Sequence, residues 1–365
     1  MKWKGIKIKE LAKQKKITLQ KLATIVGVSR QTVNDWINGQ IPKGNHLLSL
    51  CNIFAVKPDS FFVDTTSDYL KVPVHRTRRG AKITSEMQES AILLLRGYSN
   101  LFRNYNKSDI LPVIKSHEGS LDDAINIANK LRSMSGVTGK NPISYQHTFK
   151  LAVSLGINLI FRYFPTEIKS YAFCTKIHDH RIVFVNNSTN IIDLIFPLLH
   201  EFIHAVRNDD EFYTEYEIEE ENFCDRVANF IQFPRSYVEM VYGAIKGLKP
   251  AYQVNMLKGY GESNSHSLHG IVKSIKIFYP SFNLNVGGAD TNLKKRFLTI
   301  GDILFLRNNP REYVQRLNSY SSNFLNVLYE QINHITDRKL AFLLGIESVL
   351  DAKDIKSEIK HQHLE

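Results

Sequence analysis

Over residues 1–64 apolar side chains recur at helical intervals, in short runs broken by glycine. Ile8, Leu11 and Ala12 open one amphipathic helix, and residues 18–26 give a second, capped by Thr18 and ended by Gly27. Ser29 caps a third over 30–38, which Gly39 closes. Leu47, Leu48, Leu50, Cys51 and Phe54 form a fourth apolar stripe, and Phe61 with Phe62 a fifth. Periodicity then stops: residues 65–82 are polar and basic and read as a linker. It resumes over 84–102 through Ile92, Leu93, Leu95 and Leu101. From Ser120 onward helices are expected at 124–134 and 144–155, and short strands at 157–161, 171–175 and 181–185. His178-Asp179-His180 has the composition of a hairpin turn between the last two strands. The mostly apolar run 191–199 predicts a buried helix that Pro197 either opens or kinks. Further on, 268–278, 310–335 and 337–344 carry helical spacing, with Gly345 as the last C-cap, and no chemical motif.

These patterns predict an α+β chain in four parts. They are an all-α head over 1–64, a linker and connecting helix over 65–118, a body with a small antiparallel sheet over 119–245, and a mainly helical region over 246–365. The 365 residues, 43% of them hydrophobic, suffice for two or three cores. No run of eighteen apolar residues and no signal peptide is visible, so a soluble, cytoplasmic protein without membrane contact is expected. Cys51, Cys174 and Cys224 are odd in number and form no C-x-x-C, which argues against a disulfide scaffold and against a thiolate zinc site. The final Leu364-Glu365 reads as a cloning remnant.

Charge sharpens this division. The chain carries +11, and residues 1–64 hold eleven Lys/Arg against four Asp/Glu, so most of the excess lies in the head. A second basic cluster, Arg76, Arg78, Arg79 and Lys82, follows, whereas 209–221 is strongly acidic. That polarity places a nucleic-acid surface at one end, although a charge run is more often a solvated face. Two short helices joined by a glycine turn describe a helix-turn-helix unit. The segment Leu22-Ala23-Thr24-Ile25-Val26-Gly27-Val28-Ser29, continued through Thr32-Val33, Trp36 and Asn38-Gly39, resembles the repressor-type, XRE-like module of phage regulators. By position in that family, Arg30, Gln31, Asn34 and Asp35 face base edges of double-stranded DNA, while Gln20, Thr32 and Lys43 touch phosphates. Asp35 is unusual there, because a carboxylate accepts only from cytosine and repels the backbone. The plainer alternative is a helical bundle used for dimerisation, and a homodimer is expected either way, since one head reads only a half-site.

The strongest chemical statement is His200-Glu201-Phe202-Ile203-His204. On a helix the two histidines share one face and can offer nitrogens to one metal ion, and Glu201 sits where it reaches a water rather than the metal. Glu221 supplies a carboxylate as third ligand, and Asp225, one turn on, is placed to accept a hydrogen bond from a ligand histidine. Zinc is the default ion for such a set and manganese is compatible. The bland alternative is a solvated acidic helix that happens to follow a His pair. The sequence identifies no oxyanion stabiliser: Tyr171, His178 and His180 are candidates, although a turn histidine is more often solvated, and His266 and His269 have no carboxylate partner in view.

The order of helices, short sheet, H-E-x-x-H helix and E-x-x-x-D helix, with Ile182-Val183-Phe184-Val185-Asn186-Asn187 before it and Glu221 to Pro234 after it, resembles the ImmA/IrrE metallopeptidases. The resemblance covers roughly residues 120–240 and implies a zincin-like body, thermolysin-like in its active-site helices. His200, His204 and Glu221 are then the zinc ligands and Glu201 the general base. Cys224 and Val227 stand where that family usually has Ala and Phe, and Phe202-Ile203 replaces the common Leu-Gly. The joint expectation is a DNA-binding transcriptional regulator with zinc endopeptidase activity that cleaves a partner repressor or antitoxin in a stress or mobile-element response. The rival is a DNA-bound repressor, or the antitoxin of a toxin–antitoxin module that neutralises a cognate toxin, with a structural or latent metal site. A general peptide-degrading enzyme fits less well, since it has no use for a DNA-binding head.

Overall fold

The structure is a computed structural model and describes residues 2–63, 85–103, 105, 114, 120–207, 218–304 and 309–362. The basic cluster at 76–82, most of the acidic run from 209 and the terminal Leu364-Glu365 lie outside those residues. The chain divides into two compact units, Met1–Lys71 and Val72–Glu365.

The first unit holds β1 (Lys2–Trp3), α1 (Ile6–Gln14), α2 (Leu19–Val26), α3 (Arg30–Ile37), α4 (Gly44–Phe54), a 3-10 turn (Pro58–Phe61) and β2 (Phe62–Val63). Its own core gathers Ile8, Leu11, Leu22, Val33, Trp36, Leu50 and Phe61. The fifth apolar stripe is therefore not a helix. Phe61 ends the 3-10 turn, and Phe62 pairs with Trp3 across β1 and β2, where both rings pack on the Trp3 indole. Trp3 Nε1 donates to the Trp36 carbonyl at 2.7 Å. A Cβ at Gly5 would lie 1.9 Å from that same carbonyl oxygen, so only glycine allows the chain to turn into α1 there.

The second unit begins with α5 (Ser85–Arg103), α6 (Leu121–Ser135) and α7 (Tyr145–Ser154). Then come β3 (Asn158–Arg162), β4 (Ala172–Ile177), β5 (His180–Asn186), α8 (Ile191–Val206) and α9 (Ile218–Gln232). The rest is helical: α10 (Arg235–Ile245), α11 (Pro250–Asn264), α12 (Leu268–Phe278), α13 (Gly287–Lys294), α14 (Ile300–Leu304), α15 (Pro310–Gln331), α16 (Asp337–Leu344) and α17 (Val349–Gln362). The described residues are thus mostly helical, with one three-stranded sheet in this unit. The sheet corrects the antiparallel expectation: its order is β3-β5-β4, with β3 parallel to β5 and β4 antiparallel to it. The hairpin makes β4 and β5 antiparallel, and the chain from β3 passes the hairpin to leave β5 in the middle. That central place suits β5, which is buried along its whole length.

The two edges of the sheet differ. Beside β3, α15 departs from helical geometry at Ser321, whose hydroxyl donates to the Leu159 carbonyl at 2.8 Å and accepts from the Leu159 N–H at 3.1 Å. The Asn323 side chain likewise donates to the carbonyls of Val153 and Ile157. The Ser321 hydroxyl thus satisfies Leu159 backbone groups that an edge strand would leave open, and Asn323 ties the end of α7 to the start of β3. Beside β4, by contrast, lies α8.

Candidate metal centre and nucleic-acid-binding helices

Helix α8 is apolar on nearly every face because it runs between the sheet and α9, and only Asp193 and Phe196 escape full burial. Asn190 caps it through the Ile192 N–H, and it continues through Pro197, whose missing N–H leaves the Asp193 carbonyl without its helical partner. A polar cluster at its end is then a costly exception, since His200, Glu201 and His204 are at most 1% exposed.

The cluster is organised. His200 Nε2 and His204 Nε2 lie 2.9 Å apart, and Glu221 of α9 brings one carboxylate oxygen 3.1 Å from His204 Nε2 and the other 3.4 Å from His200 Nε2. In a tetrahedral zinc site with bonds of about 2.0–2.2 Å, neighbouring donors stand roughly 3.3 Å apart, so this triangle has the size of one face of such a site. Among the described residues these three form the one group of His, Cys, Asp and Glu able to hold a metal ion. Burial alone would raise the pKa of Glu221, but the hydrogen bonds and charge of the two imidazoles override it and hold the carboxyl well below the usual range.

The surrounding groups orient the triangle. Asp225 Oδ1 lies 2.9 Å from His200 Nδ1, which fixes Nε2 as the nitrogen facing Glu221. Lys273 of α12 stands 3.5 Å from the other Asp225 oxygen, and Cys224 Sγ is 3.7 Å from His204 Nδ1. Glu201 Oε2 accepts from the Cys174 N–H at 2.9 Å, whereas its Oε1, fully buried, has no hydrogen-bond partner among the described residues. Burial raises the Glu201 pKa, against the opposing pull of both imidazoles and the Cys174 N–H. Because the Cys174 N–H points to α8, the outer edge of β4 lies beside this carboxylate. Cys174, Cys224 and Lys273 carry no sequence signal for the site, since each acts through a neighbour brought in by folding.

Other histidines go elsewhere. His178 Nε2 lies 3.2 Å from the Ser99 carbonyl, and His180 Nε2 2.8 Å from that of Tyr105 while its ring packs on Phe102. Both serve the packing of α5 on the sheet. Tyr171 meets the sheet through its carbonyl, which accepts from the Asn186 N–H, and His269 is exposed. His266 is buried beside Phe233, and Gln232 Nε2 donates to its Nδ1 at 3.1 Å.

In the first unit, Thr18 accepts from the Lys21 N–H to start α2, Gly27 takes a left-handed φ of 79° to end it, and Ser29 accepts from the Thr32 N–H to start α3. Gln20, Arg30, Gln31 and Lys43 are exposed; Thr32, Asn34 and Asp35 are half-buried. Thr32 Oγ1 is 2.9 Å from the Ser29 hydroxyl. Gln31 Nε2 donates to Asp35 Oδ1 at 2.8 Å, so the carboxylate that looked out of place restrains the glutamine beside it. Val33 and Trp36, on the opposite face, are core. No described helix is long and apolar enough to cross a membrane.

A family model described as Helix-turn-helix matches residues 8–61. No curated protein and no solved structure matches the chain. The match spans the capped pair α2 and α3, whose outer face is polar and whose inner face is core; the first unit is a helix-turn-helix domain, and the chain a DNA-binding regulator.

Proposed function

We propose that the second unit is a zinc-dependent endopeptidase of the ImmA/IrrE type, and that the regulator acts by cleaving a partner repressor or antitoxin. The observation that carries the reading is the buried Glu201 with one oxygen held by the Cys174 N–H and the other unpartnered beside the His200, His204 and Glu221 triangle. A structural site gains nothing from a buried carboxylate oxygen without a donor, whereas a general base needs one. The ligand spacing and the Asp225 carboxylate oxygen 2.9 Å from His200 Nδ1 fit zinc, which when bound supplies Lewis-acid polarisation of the scissile carbonyl and a more acidic water. The residues do the rest. Glu201 takes the proton of the attacking water at Oε1 and passes it to the leaving amine, while Cys174 keeps the carboxylate from rotating away.

Elemental analysis of the full chain tests the site: about one zinc per chain, kept in Glu201→Gln and lost in His204→Ala. Incubation with candidate repressors and antitoxins, followed by mass spectrometry, tests the reaction, with product from the wild type and none from Glu201→Gln. Zinc binding without cleavage of any such partner would leave the site structural, and a Glu201→Gln chain that cuts at the wild-type rate would remove Glu201 from the base role.

A further inference from the structure

Away from the triangle, α10 and α11 form an antiparallel pair. The Gln253 amide of α11 donates to the Ile245 carbonyl at the end of α10 at 3.1 Å, and the Tyr237 ring meets Tyr260 edge-on at 6.2 Å. This register sets Met240 of α10 level with Met256 of α11. Both are exposed, as are Leu248 in the connection and Tyr252, which is 63% exposed. A surface helix ordinarily turns such side chains inward, but α11 carries Tyr252 and Met256 on its outer side while Leu257 and Gly261 are buried. Two glycines of α11 then differ in what they do. A Cβ at Gly261 would stand 2.8 Å from the His266 carbonyl oxygen, so packing within the chain requires glycine there. At the exposed Gly259 a Cβ would meet nothing within 4 Å. Glycine weakens a helix interior, and no contact inside the chain offsets that loss at 259. Tyr252, Met256 and Gly259 follow the i, i+4, i+7 spacing of one helix face, so a bare backbone lies open between exposed apolar side chains.

We propose that this face binds an amphipathic helix of a partner protein, with an apolar stripe flanked by carboxylates. The 15 residues of α11 offer a track about 22 Å long, and Gly259 lets a second helix approach its backbone closely. Exposed methionines adapt to the side chains of such a partner. Charge selects the flanks. The acids on these two helices are already paired, Glu239 with Arg235 and Glu262 with Arg296, whereas Lys246, Lys249 and Lys258 make no ion pair among the described residues. Lys246 and Lys249 stand beside Leu248 where the two helices join, and Lys258 lies next to Gly259. A lipid surface fits less well, because a helix that lies on one presents bulky apolar side chains along its length, and this face has a glycine among them.

Fluorescence anisotropy of the full chain with a labelled helical peptide of about eighteen residues, leucine along one face and glutamate on both flanks, is the test. A saturable complex of one peptide per chain is expected, weakened at least tenfold in the Tyr252→Ala/Met256→Ala and Lys246→Glu/Lys249→Glu double variants. Gly259→Leu separates binding from folding: its side chain enters open space, so the variant should melt no lower than the wild type yet bind the peptide at least tenfold more weakly. No saturable binding, equal binding by the variants, or equal affinity for a peptide with lysine in place of glutamate would overturn the proposal. Self-association of the full chain that Met256→Glu abolishes would assign the face to a second copy, and tighter binding to phosphatidylglycerol vesicles than to the peptide would assign it to a lipid surface; either would also overturn it.

Discussion

Two buried histidines show how position sets the role of one residue type. His200 has Asp225 at Nδ1 and so presents a single nitrogen to the triangle; Asp225→Ala should keep the fold and weaken zinc about 10–100-fold, as read by competition with a chromogenic chelator. His266 has only the Gln232 amide at Nδ1 and apolar walls, and burial drives its pKa down from 6.5 to about 3. The folded state then stays neutral where the unfolded chain binds a proton, so no stability is lost above about pH 6.5. Below that pH the unfolded state gains the proton first, and stability should fall by up to about 1.4 kcal/mol per pH unit until about pH 3. Denaturant titrations from pH 7 to 4 check this: His266→Gln should flatten the slope, and a slope unchanged by the substitution would assign the acid sensitivity to other groups. The grouping of His200, His204 and Glu221 was legible in the sequence, because a shared site demands particular residue types at helical spacing. The Cys174 N–H was not, since a backbone donor reaching Glu201 across 27 positions leaves no mark on residue type.

Among elements, helix caps were easiest to read. Thr18, Gly27, Ser29 and Gly345 occupy the capping positions that the sequence assigned them, because a cap is a local contact with a strong residue preference. Ser29→Ala should cost about 1 kcal/mol, seen as a lower melting temperature of the first unit. Charge on the same unit has a separate readout. Lys43 is exposed at the start of α4, and Lys43→Ala should weaken DNA binding across all sequences and reduce the salt slope by about one, whereas Arg30→Ala should relax base preference. Strand pairing was hardest to read. Short apolar runs marked three strands, yet nothing local says that β3 joins β5 in parallel, or that Ser321 of α15 closes the far edge of β3. The helix expected at Phe61 and Phe62 failed for a related reason, since Trp3, at the other end of the unit, claims both rings.

At the scale of the whole chain, the two units, Met1–Lys71 and Val72–Glu365, hold separate cores. Separate cores imply separate melting, because each hydrophobic cluster gains its stability from contacts within its own unit. On the proposed reading each unit also binds its own ligand, and a ligand stabilises only the state that binds it, by about 2.7 kcal/mol at a hundredfold excess over Kd. Calorimetry of the full chain should therefore show two transitions. Removing metal with a chelator should lower the one that Asp225→Ala also lowers, and leave the other in place. Operator DNA should raise the transition that Ser29→Ala lowers. A single transition moved by both treatments would mean that the units unfold together, and that occupancy of DNA and the state of the metal site are linked in one equilibrium.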